Sequence, residues 1–327
     1  MPNKSDQKLI TLCIATYNRS ARVCELVQIL LDFDLNESLE ILVVDDGSSD
    51  DTFNQISKFL KYDNVQVYRN ESNLGWAKTF IKYFNLCKTE FLVEVPDDDI
   101  IYKQGILDIF PILENLKPDF ICTRWIDVNR AYYPGRGSDS LQEISLLNIR
   151  SKSDHSPGCV YRTSLIESAE PIILQRLAKE CMATFFYPQV ILLYVAKLNN
   201  AKLYNSPVLM GGYKEEGPLE SNLTDLKGNH YTSLGTIFMQ YLGFQEFYKE
   251  MIIKFDHSKH IKELQLTLES HELSLYGLID DAISIQSKIS AHHFRIGSSR
   301  NLLNPFRLFS FFIIFLYQKI KTKFYAK

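Results

Sequence analysis

Short apolar, β-rich runs alternate with helical patterns through roughly the first 125 residues, and that alternation leaves few folds open. The runs are Leu9–Ala15, Leu39–Val44, Val65–Tyr68, Phe91–Val95 and Phe120–Trp125. Between them, apolar residues recur at helical spacing: Val23, Leu26, Val27, Leu30 and Leu31; then Phe53, Ile56, Phe59 and Leu60; then Phe80, Ile81 and Phe84; then Ile106–Leu116. One strand roughly every 25 to 30 residues, each followed by a helix, predicts βαβ units in an α/β fold, a Rossmann-like, mostly parallel sheet flanked by helices. In such sheets ligands gather at the carboxyl ends of the strands. The polar clusters lie there: Thr16-Tyr17-Asn18-Arg19 after the first strand, Asp45-Asp46 after the second, and Asp97-Asp98-Asp99 after the fourth.

Three adjacent carboxylates repel one another unless a cation sits among them. Their oxygens are hard ligands suited to Mg2+ or Mn2+, which in turn hold phosphate oxygens. The plainer reading is a solvated acidic turn capping the next helix. The usual nucleotide signatures are missing. No G-x-G-x-x-G follows the first strand and no G-x-x-x-x-G-K-[ST] occurs, which argues against a dinucleotide dehydrogenase and a P-loop NTPase. The six cysteines form no C-x-x-C pair and lack histidines at zinc-ligand spacing, so they read as reduced core residues.

With these residues in hand, the chain resembles the family 2 glycosyltransferases of bacterial surface-polysaccharide type, inverting enzymes with the GT-A fold. The resemblance rests on ATYNR at Ala15–Arg19, VVDDGSSD at Val43–Asp50, Asn73-x-Gly75, and DDDI followed by Gly105-x-Leu107, in that order. It implies a nucleotide-sugar donor, a UDP- or dTDP-sugar, and a divalent metal, Mn2+ or Mg2+. Carried over by residue, it puts Ala15, Thr16, Tyr17, Asn18, Arg19, Asp45, Asp46, Asn73, Gly75, Lys78 and Asp97 around the donor nucleotide. Tyr17 packs against the base, Asp46 hydrogen-bonds it, and Asp97 turns toward the ribose. Asp98 aligns with the metal-binding aspartate, and Asp99 joins it as a ligand or stands behind it. Pro96 and the unbroken aspartate run depart from the commoner D-x-D and leave open which two ligate. For Tyr17 the bland alternative is packing at the helix entry, and for Lys78 a solvated helix face.

The acceptor half is less explicit. An inverting transfer needs one base to take the acceptor proton. The family's acidic position falls near Tyr187–Gln189, where this chain has no acid; Glu180 is the nearest, with Asp154 and His155 as rivals in a polar loop. Ser156–Tyr161 resembles the strand that returns beneath the donor sugar, and Gly211-Gly212-Tyr213 with the residues after it reads as a flexible loop. The expected division is 1–220 for the transferase domain, its donor half about 1–125 and acceptor half about 126–220, and 221–327 for a helical region.

From Ala282 onward there are eight Lys and Arg and no Asp or Glu, on a chain of net charge −3. The apolar run Leu308–Tyr317 inside that basic tail is too short to span a bilayer, which takes about 20 residues. It suits a helix lying in an anionic membrane interface better than one bound to nucleic acid. The N-terminus lacks a long apolar leader. Together these place the enzyme in the cytoplasm, peripheral on the inner membrane face, with a glycan or lipid-linked oligosaccharide as acceptor. A nucleotidyltransferase of similar architecture, or a non-catalytic member of the same fold, is the alternative.

Overall fold

The structure is a computed structural model. It describes residues 8–126, 132, 136–153, 155–178, 188–213, 234–256 and 258–270, with side chains in the last long helix described from residue 243. The elements run β1 (Ile10–Thr16), α1 (Ser20–Leu31), β2 (Leu39–Asp45), α2 (Thr52–Ser57), β3 (Val65–Arg69), α3 (Trp76–Leu86), β4 (Phe91–Glu94), β5 (Asp99–Ile101) and α4 (Lys103–Leu116). They continue with β6 (Phe120–Ile126), β7 (Gln142–Glu143), α5 (Ile149–Ser153), β8 (Val160–Arg162), α6 (Ile166–Leu177), α7 (Pro188–Leu198), β9 (Leu203–Tyr213) and α8 (Leu234–Lys254).

A nine-stranded sheet in the order β3-β2-β1-β4-β8-β6-β9-β5, with β7 beside β9, organises the core. β1 to β4 are parallel neighbours, and β8 enters antiparallel between β4 and β6. Both faces are covered, which is why the central strands read as unbroken apolar runs rather than alternating ones. Period-two alternation still sorts their side chains. Ile41 and Val43 join Val23, Val27 and Leu30 of α1 on one face, while Leu42 and Val44 join Phe80, Tyr83 and Phe84 of α3 on the other.

That second face reaches past residue 220. Phe244, Phe247, Tyr248 and Met251 of α8 belong to the same apolar cluster as Tyr194 of α7. Arg176 of α6, fully buried, meets Glu250, lies 3.7 Å from Glu246 and sits 5.9 Å over the Phe247 ring. Helix α8 therefore packs on the sheet-bearing core.

Two expectations change. Gly211-Gly212-Tyr213, read as a flexible loop, ends the longest strand of the sheet. Gly211 is there because strands crowd it: a Cβ would stand 2.1 Å from the Ile100 carbonyl and 2.9 Å from the Trp125 ring. His155 does lie in a loop, as expected, but it is partly buried there against Trp125 and Tyr213.

The five cysteines among the described residues are free, with Cys13 and Cys87 sulfurs 3.4 Å apart. Among the described residues no helix is long and apolar enough to cross a membrane. The basic C-terminal tail lies outside them, as do Glu180 and Asp154.

Candidate active site

Adjacency of β2, β1 and β4 brings the three polar clusters to one sheet edge. The register sets Thr16 level with Asp45, and Asp45 level with Arg69. Each cluster is then tied to a neighbour by hydrogen bonds rather than left to solvent.

Asn18 makes the first tie. Its backbone is in the left-handed region (φ 54°), which Asn tolerates better than most residues. Its Oδ1 accepts from Ser49 N at 2.8 Å, and its own N–H donates to Ser48 Oγ at 2.9 Å. Asp46 makes the second. Oδ1 accepts from Asn70 Nδ2 (2.7 Å) and Leu74 N (2.9 Å), and Oδ2 from Gly75 N (2.9 Å). Three donors converge on one buried carboxylate, holding the loop before α3 against β2. Gly47, at φ 75°, lets that loop approach, since a Cβ there would come within 2.6 Å of the Ser72 carbonyl carbon. Asn73 Oδ1 also accepts from Gly75 N at 3.0 Å.

Asp45 is sealed from solvent. It accepts from Ser48 N at 3.1 Å and pairs with Arg69 Nε at 3.3 Å. Arg69 was not among the expected residues; it also donates to Ser48 O at 2.8 Å and covers Phe53. Tyr17 is exposed at 42%, unusual for an aromatic beside such a buried cluster. Ala15 is half-buried beneath the loop, and Lys78 is exposed on the first turn of α3.

The aspartates divide by environment. Asp97 is buried, accepting from Thr16 Oγ1 at 2.8 Å and Arg19 Nη1 at 2.7 Å. Burial pushes its carboxyl upward, and Arg19 and the Thr16 hydroxyl oppose that rise. Asp98 has a side chain 43% exposed, with Arg19 Nη1 at 3.0 Å and Arg22 Nη1 at 3.7 Å. Arg22 too went unnoticed in the sequence. Burial disfavours the charge on Arg19, but Asp97 and Asp98 outweigh it and hold the guanidinium charged. Asp99 is buried, and desolvation, followed by Asp98, Glu94 and Asp97, pushes its carboxyl up to about 8.

That excess of negative charge is what a divalent cation relieves. The donor set fits one held by Asp98 and Asp99. Among the described residues no group of three or more His, Cys, Asp or Glu side chains encloses an ion.

Below the aspartates, Glu94 ends β4 wholly buried, its Oε1 accepting from Trp76 Nε1 at 2.6 Å. Burial raises its carboxyl; Ser156, Trp76 and Arg136 act against the rise. A charged residue inside the apolar run FLVEV was the available signal.

His155 is partly buried behind the site. Arg136 Nη1 lies 2.8 Å from its Nδ1, and Tyr213 Oη 2.7 Å from its Nε2. Burial, with Arg136 adding to it, holds its pKa well below the ordinary histidine value.

Comparison with known proteins agrees with this geometry. The model described as Glycosyl transferase family 2 matches residues 11–167. Poly(ribitol-phosphate) beta-N-acetylglucosaminyltransferase TarS of Staphylococcus aureus is 28% identical over 165 residues, 48% of this chain and 28% of its own length. Glycosyltransferase GlyG of Streptococcus pneumoniae is 24% identical over 151 residues, 44% of this chain and 50% of its own length. The chain thus spans between about a quarter and a half of these relatives' lengths. The crystal structure of S. aureus TarS 1-349 in complex with UDP superposes with a TM-score of 0.56 at 20% identity, covering 80% of this chain and 70% of that one, a likeness of fold. Residues 11–167, from β1 into α6, match the family model, and their mixed sheet gathers its acidic and aromatic residues at one edge; that stretch is a glycosyltransferase family 2 domain.

Proposed function

We propose that the chain transfers a sugar, with inversion, from a nucleoside-diphosphate sugar to a hydroxyl of a glycan acceptor. One observation carries the reading: three strand-end loops, cross-braced by Asn18 and Asp46, surround an exposed Tyr17 ring and a run of aspartates in a family 2 domain. The UDP complex of TarS, and that relative's name as a beta-N-acetylglucosaminyltransferase, favour a UDP-sugar donor such as UDP-GlcNAc.

Tyr17 stacks on the base, and Asp46 accepts from it with lone pairs left by its three loop donors. Asp97, steadied by Thr16 and Arg19, faces the ribose. Lys78 and Arg19 flank the diphosphate. Asp98 and Asp99 are the residues that would hold Mn2+ or Mg2+, and the ion would supply positive charge against the departing diphosphate. In the transfer, the acceptor oxygen bonds to the anomeric carbon as the bond to the diphosphate oxygen breaks. The electron pair leaves with the nucleoside diphosphate, and a base takes the hydroxyl proton. Glu180 and Asp154 are the candidates for that base. The test is release of UDP from a panel of UDP-sugars with Mn2+ present. Saturable release is expected with at least one sugar; neither binding nor release with any of them would overturn the reading.

The acceptor we propose is a lipid-linked glycan at the inner membrane face, reached through the basic tail. Removing Asn304–Lys327 is expected to abolish flotation with anionic liposomes while leaving UDP release intact. Full-length binding to those vesicles should also fall with added salt. A full-length protein that never floats, beside a truncated one that melts much lower, would instead make the tail part of the core.

A further inference from the structure

Cys13 lies in the middle of β1 and Cys87 is the first residue past α3, 74 positions later, yet their sulfurs are 3.4 Å apart. Cys13 is fully buried, whereas Cys87 is only partly covered. Cys87 has already left the helix: its backbone is extended (φ −66°, ψ 136°), and its N–H makes the last bond of α3, to Tyr83 O at 2.9 Å. A disulfide holds its sulfurs about 2.05 Å apart, so the two thiols stand about 1.4 Å short of a bond.

Both elements lead to the donor site. Cys13 O accepts from Val95 N at 2.9 Å, next to Pro96 and the aspartate run. Helix α3 starts beside Gly75, whose N–H is bonded to Asp46. Drawing the far end of α3 toward β1 therefore moves a helix whose near end braces the nucleotide loop.

The partly exposed sulfur of Cys87 meets a dissolved oxidant first. Burial, and after it the Cys87 sulfur, holds the Cys13 thiol well above its ordinary pKa, so Cys13 stays protonated until Cys87 has reacted. Hydrogen peroxide gives one oxygen to Cys87: the O–O bond breaks, a sulfenic acid forms and water leaves. The Cys13 sulfur then bonds to the Cys87 sulfur as the S–O bond breaks, and the hydroxyl departs as water with the Cys13 proton. Both thiols lose their hydrogens, and the peroxide is reduced to water.

Building on the transferase reading, we propose that Cys13 and Cys87 are a peroxide-sensitive thiol pair whose disulfide weakens binding of the donor nucleotide. The experiment treats the full chain with hydrogen peroxide, removes the oxidant, and combines non-reducing peptide mapping with calorimetric titration of UDP in Mn2+. A peptide joining Cys13 to Cys87 is expected, and dithiothreitol should split it. Oxidised wild type should bind UDP about tenfold more weakly, within the usual range of coupling between two sites, and reduction should restore it. Cys87→Ser, and independently Cys13→Ala, should bind UDP as the reduced wild type does both before and after peroxide. The absence of a linked peptide, a linked protein with unchanged UDP affinity, or a loss of affinity that persists in Cys87→Ser overturns the inference alone. A wild type that binds no UDP even when reduced overturns the transferase reading and the claimed effect on binding, while the peptide map still decides whether the thiols pair.

Discussion

Asp46→Ala is expected to weaken UDP binding by at least about tenfold and to lower the melting temperature together with it. Three donors, Asn70 Nδ2, Leu74 N and Gly75 N, converge on that one buried carboxylate. Hydrogen bonds to a charged acceptor are worth about 1.5–3 kcal/mol each, and two of these donors are backbone groups with limited alternatives. Even after water replaces some of the lost acceptors, a loss of about 2–3 kcal/mol in stability is expected. Binding falls for a second reason: the loop Asp46 holds carries Asn73 and Gly75 at the mouth of the site. Asp46→Asn should be nearly as damaging, because its amide offers one acceptor oxygen where two are used. Calorimetry and a melting curve check both parts. A variant that melts and binds UDP like the wild type would remove Asp46 from the site and from its scaffold.

Much of this arrangement is legible in the sequence. The first four strands, the helices between them and the gathering of Thr16–Arg19, Asp45-Asp46 and Asp97–Asp99 at one edge all follow from periodicity, because both sheet faces are buried and the runs are nearly pure. What was not legible depends on long-range packing. Gly211-Gly212 has the composition of a turn, and only the approach of Ile100 and Trp125 shows why a strand needs glycine there. The strand expected within Ser156–Tyr161 is β8, Val160–Arg162, but its antiparallel place between β4 and β6 is one that no local pattern encodes. Arg22, Arg69 and Arg136 read as ordinary surface cations until the fold sets them beside Asp98, Asp45 and His155. His155 was a rival base because it follows Asp154 in a polar loop. Its neighbours in the fold are a guanidinium on one nitrogen and a phenol on the other.

Asp98→Asn is expected to cost transfer on the order of a thousandfold, the several kcal/mol that a metal contributes when it neutralises a departing diphosphate. The fold should hardly notice. The Asp98 side chain is 43% exposed, and its pairs with Arg19 and Arg22 are near-surface contacts of the kind that contribute about 0–1 kcal/mol. Arg19 also keeps its buried partner, Asp97, at 2.7 Å. Activity alone does not separate a lost metal from a misplaced donor, whereas binding does. Calorimetric titration of UDP into wild type and Asp98→Asn, each with Mn2+ and with chelator, tests the central claim that this aspartate run holds a cation for a nucleoside diphosphate. The wild type should bind UDP clearly more tightly with Mn2+ than with chelator, and the variant should bind it equally weakly in both. A wild-type affinity indifferent to Mn2+, or a variant that keeps the full Mn2+ enhancement, would contradict it.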